Sequence, residues 1–317
     1  MQIAVSGANG FVGRSLCSVL RDAGHGVTAL VRRSSSVVEG ATELVIPDDH
    51  FASIARGNPA IGPVDVFVHL AARVHVMQDG AADPLAEHRA VNVRGALDAA
   101  SAAFHAGARR FVFVSSIKAL GESEPGRPWR EDDPASPTDP YGVSKLEAER
   151  ELAAFGRANG MQIVTVRPPL VYGPGVRANF RGLIRVVDRG IPLPLGAIDA
   201  RRSMIYVGNL ADAIRLLATR AESTEGVFHV SDGDDLTVPD MVRAIALALS
   251  RPTRLVPVPV ALLRGLGRLT GRIAQVDRLT SPLRLDISKL RDDIGWTPPW
   301  SVAEGLAHTV RAYRAEH

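Results

Sequence analysis

The sequence predicts an α/β protein: a doubly wound parallel sheet with a smaller, mostly helical C-terminal region. Three observations predict it. Short apolar runs alternate with helical stretches through the first half of the chain: "QIAV", "VTALV", "ELVI", "VDVFVHL", "RFVFVSS" and "QIVTVRP". These runs are apolar throughout rather than alternating, as strands covered by helices on both faces are. A glycine-spaced turn, "VSGANGFVG", joins the first run to the first helical stretch. Right-handed crossovers between parallel strands then wind the sheet doubly.

The helical stretches between the runs are clearest near 11–23, 84–106 and 141–159. After about residue 168 proline, glycine and arginine become frequent and helices dominate. Two later pieces, "RSMIYVGNLADAI" and "GVFHVSDG", each read as a strand plus helix and are expected to rejoin the first domain. The predicted division is therefore discontinuous: 1–167 plus about 203–232 for one domain, 168–202 plus about 233–317 for the other. In "VPVALLRGLGRLTGRIA", residues 258–274, Arg264, Arg268 and Arg272 fall four apart with leucines opposite. Such a stripe fits a membrane-surface helix or one capping the second domain, and the capping helix is expected because amphipathic stripes are the norm in globular domains.

Composition narrows the function classes. The 317 residues carry a formal charge of only +3 with no block of like charges, so no nucleic-acid surface is expected. The single cysteine, Cys17, falls within the first helix, reads as a small core residue, and fits a reducing cytoplasm. The chain opens directly into a strand, without the pattern of a signal peptide, and no apolar run is long enough to span a bilayer. No metal site is expected.

The glycine turn carries the first chemistry. Gly7 permits the tight turn, Gly10 lets a pyrophosphate approach the backbone, and Gly13 lets helix and strand pack closely. The amides of Phe11 and Val12 would face the phosphates at the helix N-terminus. The sheet is thus of the Rossmann type, and its ligand a dinucleotide.

A second stretch, "DPYGVSKLEAERELAAF", carries the rest. Asp139 is a good N-cap and Pro140 a good first helical residue. Tyr141 and Lys145 then share one helix face, four apart. Tyrosine is a poor acid–base group at its ordinary pKa of about 10, and a neighbouring ammonium together with an oxidised nicotinamide is expected to lower it. Lys145 could also hold the nicotinamide ribose. Only three lysines occur, Lys118, Lys145 and Lys289, against 34 arginines. "RFVFVSSIKALG" ends a buried strand in two serines, at the sheet edge where sites form.

Together "SGANGFVG", "HLAA", "AVNVRGALDAA", "VSSIKALG", "YGVSK" and "RPPLVYGPG" resemble an extended short-chain dehydrogenase/reductase of the NAD-dependent epimerase/dehydratase type, from residue 1 to about 305. The resemblance implies Tyr141 as general acid/base, Lys145 as its partner, and Ser116 as the catalytic serine, counting back from Gly121, with Ser115 and Asn92 in support. It implies a cofactor lined by Gly7, Asn9, Gly10, Phe11, Val12, Gly13, Leu70, Ala71 and Ala72, with Pro168 and Pro169 bordering the nicotinamide. His69 belongs to a strand end rather than to chemistry. Asn179 and Arg202 match residues that meet a nucleoside diphosphate, and a guanidinium fork suits phosphate well. A homodimer through a four-helix contact is also implied.

Three departures from the family pattern matter. Ile117 and Lys118 stand where dehydratases carry an Asp–Glu pair, so dehydration is rejected. The adenine-contacting motif reads "VIPDDHF", with Asp48 the best candidate. "VTALVRRSSS" places Val31 and Arg32 where an acid usually holds the adenine ribose. Arg32 could instead bind a 2′-phosphate, which favours NADP(H) over NAD(H). The leading expectation is an NADPH-dependent 4-ketoreductase acting on a UDP-4-keto-6-deoxy-N-acetylhexosamine for surface glycan synthesis. The alternative is a UDP-hexose (UDP-Glc/UDP-GlcNAc) 4-epimerase with tightly bound NAD. A reductase of small aromatic ketones is disfavoured by Asn179 and Arg202, and a catalytically inactive dinucleotide sensor by the Tyr141/Lys145 pair.

Overall fold

The computed structural model describes residues 1–34, 39–47, 50–74 and 82–316. In chain order the strands are β1 (Gln2–Ser6), β2 (Gly26–Val31), β3 (Thr42–Val45), β4 (Val66–His69), β5 (Arg110–Val114), β6 (Gln162–Arg167), β7 (Leu170–Tyr172), β8 (Arg201–Arg202), β9 (Met204–Tyr206), β10 (Gly226–His229) and β11 (Leu236–Thr237). The longer helices of the first half are α1 (Phe11–Asp22), α2 (Pro84–Arg89), α3 (Gly95–His105) and α4 (Pro140–Asn159), with a π-helical turn, Ala90–Arg94, between α2 and α3. The second half adds α5 (Ala178–Asp188), α6 (Val207–Thr219), α7 (Val238–Ala248), α8 (Val260–Leu269), α9 (Ile273–Thr280), α10 (Ser288–Ile294) and α11 (Val302–Ala315).

Seven strands form one parallel sheet in the order β10-β6-β5-β4-β1-β2-β3. The order reverses at β1, and the crevice beyond the carboxyl ends of β1 and β4 is where such sheets bind ligands. Both faces are covered. On one, α1 and α6 lay Leu16, Cys17, Leu20, Leu210, Ile214 and Leu217 over the strands. On the other, Phe67, Phe111 and Phe113 meet the alanine face of α3 and Ala148 and Leu152 of α4. Cys17 is fully buried, and burial pushes its thiol up to about 12, so it stays an inert core residue.

The later strands divide in two. β10 joins the edge of the large sheet beside β6, but β9 pairs instead with β7, with Leu170 opposite Met204 and Tyr172 opposite Tyr206. In "RSMIYVGNLADAI", α6 packs on α1 while β9 does not join the large sheet. The reason is packing: Tyr172 and Tyr206 belong to a separate core with Phe180, Ile184, Val242, Leu306 and Val310, built by α5, α7 and α11.

Residues 258–274 also differ from expectation. They form two helices broken at Gly271, whose φ of 67° only glycine adopts freely. α8 does cap the C-terminal region, but through Val260 and Leu263 against Ile198, Ala200 and Val238. Leu262, Leu266 and Leu269 face outward. Among the described residues no helix is long and apolar enough to cross a membrane.

Candidate active site

The glycine turn has the shape its spacing predicts. Gly7 sits at φ 68°, and a Cβ there would lie 2.9 Å from the Ala71 amide nitrogen. A Cβ on Gly13 would collide with the Gly7 carbonyl, so α1 packs directly on the turn. Gly10 caps α1 with no side chain, which leaves the first-turn amides of Phe11 and Val12 open to a phosphate. Arg14 Nε donates to the Asn9 carbonyl at 3.0 Å and holds the turn from outside. Leu70, Ala71 and Ala72 follow β4, with the Leu70 amide bonded to the Ser6 carbonyl at 3.2 Å, alongside the turn. This cradle fits a dinucleotide. Val31 is buried at the end of β2 and Arg32 is exposed immediately after it. Asp48 lies outside the described residues.

The structure brings Ser116, Tyr141 and Lys145 together beside this cradle. The Asp139 carboxylate accepts from the Gly142 amide at 3.0 Å, with Pro140 at the first helical position, so α4 starts where the sequence places it. A Cβ on Gly142 would strike the Lys118 carbonyl, so the start of α4 presses on the turn that follows β5. That closeness brings the Ser116 hydroxyl near enough to the Tyr141 phenol to favour its ionised form. Lys145 is 1% exposed; its Nζ donates to the Val114 carbonyl at 2.9 Å and lies 4.5 Å from the Phe113 ring centre and 5.9 Å from that of Tyr141.

Without coenzyme, burial dominates the electrostatics of the pair. Burial pushes the Tyr141 phenol up to about 12, with Ser116 only partly opposing it. Burial likewise brings Lys145 down to about 7, with Glu149 opposing. Both groups are pushed toward their neutral forms because each is buried, and the ammonium alone does not lower the phenol.

The supporting residues form two clusters. Asn92, buried in the π-helical turn, bonds the Arg73 backbone through both of its amide atoms, at 2.8 and 3.0 Å, and donates to Ser144 Oγ at 3.0 Å. Ser144 in turn donates to the Tyr141 carbonyl at 2.8 Å, so Asn92 ties the segment after β4 to the backbone of α4. Ser115 donates to Glu149 Oε1 at 2.5 Å, and Arg167 donates to both Glu149 oxygens, the shortest bond being 2.6 Å. The sequence reading missed Glu149 and Arg167. The signal was there: Glu149 falls four residues after Lys145 on the same helix face, and Arg167 is the one charged residue of its buried strand. It also missed the contacts of Lys118, whose Nζ lies 2.6 Å from Asp139 and 3.2 Å from Glu122. His69 is a buried strand-end residue bonded to Ser6 at 2.9 Å, and burial brings it down to about 3, so it stays neutral.

On the other side, Pro168 and Pro169 are buried, and the Pro168 carbonyl accepts from the Ile117 amide at 3.0 Å, next to Ser116. Arg202 is half-buried and donates through Nη1 to the carbonyls of Arg278 and Ser281 at 2.7 and 2.8 Å. Arg278, also unremarked in the sequence, lies close enough to oppose its charge. Asn179 is exposed in the first turn of α5, after Ala178 at φ 53°. Among the described residues no hydrogen bond joins Asn179 to Arg202.

Residues 3–231 match the NAD dependent epimerase/dehydratase family. The chain belongs to that family. A UDP-glucose 4-epimerase of Vibrio cholerae is 39% identical over 98% of this chain and 95% of its own length. Two solved structures, each 25% identical with a TM-score of 0.79, cover all of this chain: the Thermus thermophilus UDP-glucose 4-epimerase complex with NAD, over 100% of that chain, and the Thermotoga maritima UDP-glucose 4-epimerase with UDP-glucose, over 99%. In this epimerase/dehydratase-family enzyme Lys118 is engaged by two carboxylates, which leaves no acid–base pair of the dehydratase kind after Ser116.

Proposed function

We propose that this enzyme is a UDP-hexose 4-epimerase that works with NAD and interconverts C4 epimers of the UDP-glucose or UDP-N-acetylglucosamine type. The observation that carries the reading is the 39% likeness, over nearly the whole chain, to a UDP-glucose 4-epimerase. It favours the epimerase over the 4-ketoreductase that Arg32 suggested. NAD is favoured over NADP on the same grounds, since NAD stands in the family's description and in a solved relative's complex.

Bound NAD supplies the hydride acceptor and donor and, when oxidised, a positive ring that favours the phenolate. The residues of the chain supply the rest. Tyr141 takes the proton of the C4 hydroxyl and returns it to the C4 oxygen. Ser116, beside the phenol, holds that oxygen and polarises the carbonyl. Lys145, held against Phe113 and bonded to Val114, supplies positive charge near the phenol when protonated. Arg202 is oriented by two backbone carbonyls and presents its remaining donors to the diphosphate.

Incubation of the purified protein with UDP-galactose or UDP-N-acetylgalactosamine, without added coenzyme, tests this. Conversion to the gluco epimer, lost at least about 100-fold in Tyr141→Phe, is the expected result. No interconversion, with consumption of NADPH by a UDP-4-keto sugar, would return the enzyme to the reductase reading.

A further inference from the structure

The α8–α9 hairpin has a face that the fold does not use. Leu262, Leu266 and Leu269 lie four and three apart, on one stripe of α8. They are 57%, 53% and 86% exposed. The opposite side of α8 is fixed: Val260 and Leu263 pack inward, a Cβ on Gly267 would lie 2.9 Å from Val276 of α9, and Arg264 meets Asp277 at 3.1 Å. The leucines are therefore held outward by a built scaffold.

The charge around them is one-sided. Residues 251–284 contain seven arginines and a single acid, Asp277, a balance of +6. The whole chain is +3, so the other 283 residues sum to −3. Among the described residues neither Arg268, one position before Leu269 on α8, nor Arg272, in the turn between α8 and α9, has a carboxylate within ion-pair distance. Three outward leucines beside unneutralised arginines are the pattern of a helix lying in an anionic interface, with its leucines at the acyl boundary and its guanidinium groups among the headgroups.

We infer that the α8–α9 hairpin seats the enzyme on anionic phospholipid. A second copy of the chain is the weaker occupant. A two-fold contact through this face would set +6 against +6. A ten-residue helix spans only about 15 Å, and its leucine stripe offers a small part of the roughly 800 Å² per partner that stable interfaces bury. The hairpin also reaches the candidate site, since the C-terminal end of α9 carries the Arg278 and Ser281 carbonyls that hold Arg202. Seating it would therefore fix the substrate half of the molecule relative to the membrane.

Flotation of the full-length enzyme with vesicles tests the inference independently of the sugar substrate. The expected result is at least about tenfold more protein on phosphatidylglycerol-containing vesicles than on pure phosphatidylcholine, reduced by salt. The Leu262→Ser/Leu266→Ser/Leu269→Ser variant should lose that binding while keeping its activity in solution. Arg268→Gln/Arg272→Gln should weaken binding and flatten its salt dependence. Absence of wild-type flotation, or equal flotation of the triple-serine variant, overturns the inference. So does a fall from dimer to monomer in the triple-serine variant on sedimentation, which would assign the face to self-association.

Discussion

Lys145→Met should abolish activity and make the protein more stable at neutral pH. Lys145 is 1% exposed, and burial lowers its pKa from 10.5 to about 7. Its folded-state value is the depressed one, so between about pH 7 and 10.5 the unfolded chain binds more protons, and stability rises with pH across that window. The cost of burying the ammonium is therefore fully present below pH 7 and fades as pH approaches 10.5. At 1.36 kcal/mol per pH unit the full cost is about 5 kcal/mol. Integrated, it is about 4 kcal/mol at pH 7 and about 1 kcal/mol at pH 10. Methionine has similar length and no charge, so it escapes this cost. It leaves the Val114 carbonyl without its 2.9 Å donor, which subtracts about 1–2 kcal/mol.

The net expectation is a gain of about 2–3 kcal/mol at pH 7, shrinking by about 3 kcal/mol by pH 10. Urea unfolding of both proteins without added coenzyme, at pH 7 and pH 10, reads it directly as midpoint shifts at unchanged slope. A variant that is less stable at pH 7, with the same gap at pH 10, would refute the claim that Lys145 is a strained buried cation.

Glu149→Gln acts in the opposite direction. It leaves Arg167, 5% exposed, without its counter-charge, and should cost about 3–5 kcal/mol in the same unfolding assay. It also removes the acid that holds the Lys145 pKa up, so the alkaline limb of kcat/KM should move to lower pH. Adding Arg167→Met should recover stability without moving that limb back; a limb unmoved in both variants would confine Glu149 to folding. Gly13→Ala drives a Cβ into the Gly7 carbonyl, so coenzyme binding measured by calorimetry should weaken by at least about tenfold, and undiminished binding would mean the turn is not the pyrophosphate cradle.

What was legible in the sequence was set by local rules. The glycine spacing, the Asp139–Pro140 cap and the Tyr141/Lys145 offset each depend on a few adjacent residues, and the backbone adopts them as those residues dictate. What was not legible depends on pairs far apart in the chain. Arg167 meets Glu149 because parallel β5 and β6 place Ser115 and Arg167 near the same face of α4. Arg202 is held by carbonyls 76 and 79 residues later. The strand near 204–206 is as apolar as those of the main sheet, and only the aromatic core around Tyr172 draws it to β7 instead.

The Tyr141 phenol without coenzyme follows a related rule. Spacing fixes which charges are neighbours, but burial fixes what a charge costs, and burial belongs to the whole fold. With the phenol pushed to about 12 and the ammonium to about 7, the pair without coenzyme keeps the proton on Tyr141. A positive charge bound beside the phenol favours the phenolate, so the proposed function expects coenzyme binding and proton removal to be linked.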